Sequence, residues 1–155
     1  MTSLLKFSTF VKTVLLGAAF AVGAVQMAEA RDSALVLPVD PVLGMSGKDG
    51  DRLDGTIKFY FGATVHPKVT KTFGNFATNK KTNSFGKSDN DACNWAMLSA
   101  LLALQERAKN EGGNAVVNIV SNYKKQVKSY DKEFECHAGA FVTGVALKGD
   151  VVTIK

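Results

Sequence analysis

Apolar and polar positions change period several times along the chain, and each change predicts an element. Residues 34–37 (Ala-Leu-Val-Leu) form a short apolar run closed by Pro38 and Pro41, which predicts an edge strand or extended arm. Residues 44–55 carry Gly44, Gly47, Gly50 and Gly55 among charges and read as a flexible loop. Residues 56–65 are β-branched and aromatic and predict a strand. Ile57, Phe59 and Phe61 share one face of it, and Lys58 and Tyr60 the other. Residues 66–88 have no helical periodicity. They hold Lys68, Lys71, Lys80, Lys81 and Lys87 with Phe73, Phe76 and Phe85 between them, and read as a long basic loop with room for a hairpin.

The clearest helix spans about 89–110. Ser88-Asp89-Asn90-Asp91 has the form of a capping box, Arg107 and Lys109 suit the last turn, and Gly112-Gly113 ends the run. At 100° per residue, Cys93, Met97, Ala100, Leu101, Leu104 and Ala108 make one apolar stripe. Trp95, Leu98 and Leu102 make a second stripe nearly opposite, beside Asp91, Gln105 and Lys109. Either the N-terminal arm or the 66–88 segment covers it, or it is a patch for a partner. Residues 114–123 read as a buried strand, 124–135 as a charged loop and 138–147 as another strand. Lys148-Gly149-Asp150 reads as a turn before a last short strand, 151–154.

The first thirty residues follow a different rule. Lys6 and Lys12 precede an apolar run, Val14–Val25, and Ala28-Glu29-Ala30 places small residues where a signal peptidase cuts. A run of about twelve is short of the roughly 20 that span a bilayer. Residues 1–30 are therefore expected to be a cleaved export signal and 31–155 a single α+β domain, periplasmic or secreted, with no membrane span or lipid anchor. An oxidising compartment lets Cys93 and Cys136, the only cysteines, pair. A thiol redox or metal site is the alternative, although a spacing of 43 positions is unlike C-x-x-C. Element lengths favour the bond. A helix of about 21 residues spans about 31 Å, and a returning strand of nine or ten spans a similar length. That return places the loop carrying Cys136 beside Cys93. The predicted fold is one main helix packed on a small, mostly antiparallel sheet.

Charge adds little by itself. The chain has 155 residues and a formal net charge of +5, and removing Lys6, Lys12 and Glu29 with the signal leaves +4, an ordinary value for solubility. Its distribution matters more, because much of the lysine precedes the helix. Gly86-Lys87-Ser88 resembles the end of a phosphate-binding loop, but Lys81 stands where that loop needs its first glycine. Together with export away from nucleotide pools, this argues against nucleotide binding. His66 and His137 are the only histidines, and a metal site built from them and the two cysteines would lose two ligands to a disulfide. No serine stands in a nucleophile-elbow context. The carboxylates Asp131, Glu133 and Glu135 read as a solvated loop. No cofactor and no catalytic residue is expected. The candidate binding residues are Asn79, Lys80, Lys81, Asn83, Lys87, Trp95, Leu98 and Leu102, facing an envelope protein or an anionic envelope polymer rather than nucleic acid. A metal or small-ligand binder using His66 and His137 and a hydrolase of envelope polymers remain as alternatives.

Four stretches carry a family resemblance: Thr78-Asn79-Lys80-Lys81-Thr82-Asn83, Ala92-Cys93-Asn94-Trp95-Ala96, Leu104-Gln105-Glu106-Arg107-Ala108 and Gly112-Gly113-Asn114-Ala115-Val116-Val117. Together they resemble a family of small exported bacterial proteins of unknown function, often labelled as an excinuclease ATPase subunit. The resemblance covers nearly all of 31–155. The label conflicts with the incomplete phosphate loop, the absence of zinc cysteines and the export signal. More distantly, the helix, the Gly-Gly-Asn-Ala-Val strand and the later glycine-rich strand resemble the YbjQ-type module and the periplasmic domain of RcsF-type lipoproteins. That similarity implies an α/β module with a disulfide near the helix. The chain departs from RcsF in having no lipobox cysteine and a single cysteine pair.

Overall fold

The computed structural model describes residues 31–45 and 52–155. The expected signal, residues 1–30, and the glycines Gly47 and Gly50 lie outside them. Six strands and one long helix form an α+β fold: β1 Ser33–Pro38, α1 Asp40–Leu43, β2 Lys58–Phe61, β3 Val69–Asn83, α2 Asp89–Glu111, β4 Ala115–Ser121, β5 Glu133–Ala138 and β6 Val142–Ile154. β6 organises the sheet. β3 runs antiparallel along its whole length, from Val69↔Ile154 to Asn83↔Val142. The opposite edge of β6 is shared. Its first residues pair with β5 (His137↔Gly144, Ala138↔Thr143) and its later ones with β4 (Ala115↔Val152 to Ser121↔Leu147). β1 extends the sheet beyond β5, antiparallel, and β2 extends it beyond β4 in the one parallel pairing among the described residues.

α2 begins and ends as the sequence predicts. The Ser88 hydroxyl accepts the Asp91 amide, and Gly112 closes the helix with φ +81°, a left-handed conformation that glycine adopts at least cost. The stripe from Cys93 to Ala108 is fully buried against the sheet. On the other side, Leu98, Leu102, Gln105 and Lys109 follow one another at helical spacing. The segment after β1 covers them: α1 contacts α2, the Asp54 amide donates to Gln105 Oε1 (3.1 Å), and Lys109 pairs with Asp54. Leu98 is 1% exposed, and Val42 and Ile57 join its core cluster. Because α2 is apolar on two sides, its sequence shows two stripes rather than one. Among the described residues no helix is long and apolar enough to cross a membrane.

Five elements differ from the sequence reading, one being the strand expected over 138–147, which is interrupted at 139–141 between the end of β5 and the start of β6. The stretch 66–88 is not a loop; fifteen of its residues are β3, whose other edge is unpaired among the described residues. Lysines on such an edge discourage pairing with further strands. The stretch 124–135 contains a short 3₁₀ turn, Tyr123–Lys125, and the start of β5. Cys136 therefore lies within a strand rather than a loop, and it bonds Cys93 with a Cα–Cα separation of 5.8 Å. Lys148-Gly149-Asp150 is not a turn but the middle of β6. A bulge in β4 explains this: Asn118 has φ +53°, and Val116 and Ile119 close on Gly149, where a Cβ would lie 2.8 Å from Val116 Cγ1. Asp150 is held in the ladder by the Asn75 and Asn118 side-chain amides, at 2.9 and 2.8 Å. Finally, the strand expected over 56–65 is shorter, ending at Phe61. Gly62, at φ +55°, passes so close to Asp131 that no side chain fits.

Candidate binding face of the sheet

Strand pleating sorts the candidate residues onto two faces. Cys136, Val145 and Leu147 point to α2, so their strand neighbours point away. On the far face the cross-strand pairs Asn79↔Ala146, Lys81↔Gly144 and His137↔Gly144 bring Asn79, Lys81 and His137 together over three strands. Gly144 between them has no side chain to fill the space. Arg31, Asp32, Tyr123 and Lys124 complete the walls of a cleft of about 400 Å³.

His137 is the fixed point of this cleft. Its Nδ1 lies 2.8 Å from Asp32 Oδ1 and its Nε2 2.7 Å from Glu135 Oε1. A neutral imidazole donates to one of these carboxylates, and only the doubly protonated ring donates to both. Tyr123 stacks on the ring with centroids 3.3 Å apart and planes 11° apart, and its hydroxyl donates to Asp32 Oδ2 at 2.9 Å. Lys124 reaches the same oxygen at 3.0 Å. Lys128 pairs with Glu135 at 2.8 Å. One network thus ties together the residue before β1, the 3₁₀ turn, the loop after it and β5. Lys124 and Lys125 both have positive φ (50° and 64°). Each such residue costs about 1–2 kcal/mol of backbone strain, which the surrounding contacts hold in place.

The electrostatics follow from this geometry. Hydrogen bonds from Lys124 and His137 hold the Asp32 carboxyl down at about 2, against an ordinary 3.8. Burial pushes the Glu135 carboxyl upward, yet Lys128 and His137 outweigh it and leave it below its ordinary value. Asp32 raises Lys124 in return, and burial followed by Asp32 raises Tyr123. Glu135, read from the sequence as part of a solvated loop, is 3% exposed at its side chain. Period-2 alternation of Phe134, Cys136 and Ala138 against Glu133, Glu135 and His137 was the signal for this strand. Arg31 pairs with Asp89 at the start of α2. Lys81 has no carboxylate within ion-pair distance among the described residues, although it lines the cleft.

The other candidate residues lie elsewhere. Lys80, one position along, lines a shallow groove on the α2 side with Phe76 and Arg107. Asn83 and Lys87 are used within the turn before α2: Asn83 Oδ1 accepts the Phe85 amide, and its carbonyl accepts Lys87 Nζ at 2.6 Å. Trp95 and Leu102 are half-buried against the core, and Leu98 is within it. His66 stands against Tyr60 (ring centroids 5.6 Å) and donates from Nδ1 to the Pro67 carbonyl, in an aromatic neighbourhood separate from that of His137. Among the described residues no three His, Cys, Asp or Glu side chains converge as a metal site. Compared with known proteins, the chain matches no family model, no curated protein and no solved structure.

Proposed function

We propose that this is an exported, non-enzymatic binding module of the bacterial cell envelope, and that the sheet face away from α2 takes acidic groups of an anionic envelope polymer. The observation that carries this reading is the cleft over Gly144, where Lys81 stands without an ion-pair partner among the described residues, beside the amide of Asn79. Arg31 and Lys124 also line the cleft but are paired, with Asp89 and Asp32, so Lys81 supplies its unpaired positive charge. An incoming carboxylate or phosphate therefore meets the Lys81 ammonium. A non-enzymatic role is supported by His137, whose two ring nitrogens each face a carboxylate, leaving neither to take a proton from a substrate. The Cys93–Cys136 bond fits an oxidising compartment.

Retention on immobilised polyphosphate tests the reading. The protein should be retained at low salt and released as salt rises. Lys81→Glu should elute with the unbound fraction while unfolding at the wild-type temperature. Equal retention of wild type and Lys81→Glu would remove Lys81 and its cleft from the site.

A further inference from the structure

The end of the domain where α2 begins carries two exposed phenylalanines that do not line the cleft, although Gly139 and Val142 beside them do. β5 turns into β6 through Gly139–Phe141, and β3 passes into α2 through Ser84–Ser88. The Ser84 amide donates to the Phe141 carbonyl at 2.9 Å, and the Ser84 and Thr143 hydroxyls meet at 2.7 Å. These contacts join the two turns side by side. Each turn projects a phenylalanine: Phe85 is 79% exposed and Phe141 75%, with Val142 next to it 50% exposed. At about 150–250 Å² per aromatic side chain, the two rings leave about 300 Å² of apolar surface in water. That matches the largest apolar patch on a typical monomer, which is often functional.

Charge around the turns says what this patch meets. Lys81, across from Gly144, is three residues along the sheet from Phe141, about 10 Å at strand spacing. Lys80 is adjacent to it, Lys87 closes the Ser84–Ser88 turn, and the Arg31 carbonyl lies 3.3 Å from the position a Cβ on Gly139 would take. Two acids stand nearby, Asp89 paired with Arg31 and Asp91 bound by the Ser88 hydroxyl with its charge in place, so Lys80, Lys81, Lys87 and Arg31 leave a net excess of two positive charges. Aromatic tips that project from rigid turns, set in a collar of lysines and arginine, match the layered chemistry of a bilayer surface. The rings suit the acyl–headgroup boundary and the cations suit anionic headgroups.

We propose that Phe85 and Phe141 form a peripheral membrane-docking tip that seats this end of the domain on an anionic lipid surface. Such seating would present the Lys81 cleft beside the membrane, but it does not depend on that cleft binding a polymer.

Flotation with vesicles tests it, using the exported protein purified after expression of the full chain. Vesicles of phosphatidylglycerol and phosphatidylethanolamine should carry the wild type, and vesicles of phosphatidylcholine alone should carry it much less. Phe85→Ser with Phe141→Ser should lower binding by on the order of tenfold or more, since each ring removed is a substantial apolar loss. Both residues are exposed, so an unchanged melting temperature is expected. As a direct reading of depth, Phe85→Trp should add an emission component, relative to wild type, that shifts to the blue with anionic vesicles. A double variant that floats like wild type, or a Phe85→Trp signal unmoved by vesicles, would overturn the proposal. Loss of flotation in the double phenylalanine variant with polyphosphate retention unchanged separates the two readings, because neither ring lines the Lys81 cleft.

Discussion

Replacing Glu135 by alanine should destabilise the protein by about 2–3 kcal/mol, and the number follows from what its carboxylate touches. The side chain is 3% exposed and accepts from Lys128 at 2.8 Å, from His137 at 2.7 Å and from the Tyr130 hydroxyl at 3.4 Å. Each hydrogen bond to a charged group contributes roughly 1.5–3 kcal/mol net, against a desolvation cost of several kcal/mol for a buried carboxylate. The downward shift of its pKa says that attraction wins over burial here. Truncation returns half-exposed Lys128 to water at little cost but strands His137 Nε2, on a ring only 12% exposed, at about 1–3 kcal/mol. Unfolding entropy of about 2.1 cal/mol/K per residue over about 120 ordered residues converts a 2–3 kcal/mol loss into a fall in Tm of roughly 10 °C. Glu135→Gln keeps the shape and one acceptor and should fall between the two. Calorimetry at pH 7 measures this. A folded-state pKa below the ordinary 4.5 means that the contribution is present above that value and lost as pH falls through the lower one. The gap between wild type and Glu135→Gln should therefore begin to narrow as pH falls below 4.5. An alanine variant within 2 °C of wild type, or more stable than it, would show that the network is not a net stabiliser and refute the reasoning.

Other outcomes follow from single observations. Cys93→Ala with Cys136→Ala opens a loop of 43 residues and should cost about 4 kcal/mol by loop-closure entropy, roughly 15 °C in Tm by calorimetry. Asp32 is held at about 2 and is more than a third exposed, so after solvent screening its contribution is about 1 kcal/mol. It is fully present above about pH 4 and lost as pH falls through 2, and hydrogen exchange should show β1 loosening over that window. Gly149→Ala forces a Cβ to within 2.8 Å of Val116 Cγ1 and should cost about 1–3 kcal/mol by chemical denaturation, whereas a turn at this position would tolerate the change.

How much of this was legible in the sequence depended on whether local signals agreed with tertiary ones. The helix agreed at every level, from the Ser88 cap to the Gly112 stop, and it was read to within a residue. The disulfide followed from there being only two cysteines in a chain whose first thirty residues read as an export signal. β3 was missed because an edge strand with little apolar content has no stripe to read. Its four threonines and the alternation of Asn79, Lys81 and Asn83 were the available trace. β5 was missed because its outward face carries Glu135 and His137, which look solvated until Lys128, seven residues back, and Asp32, from far along the chain, pair with them. The β6 centre was misread because Lys-Gly-Asp is a turn signal locally, and only the β4 bulge makes a glycine necessary there. Lys81 was legible as a candidate, but its separation from Lys80 by the sheet plane was not. The cleft needs residues from five separate stretches of chain, and no spacing rule brings those together.

Two-dimensional ¹H–¹⁵N NMR of the protein titrated with polyphosphate tests the central claim most directly. Saturable, salt-sensitive shifts should centre on Asn79, Lys81, Lys124, His137 and Gly144 and be lost in Lys81→Glu. Spectra unchanged by polyphosphate, or shifts centred on the α2 side around Lys80 and Arg107, would contradict it.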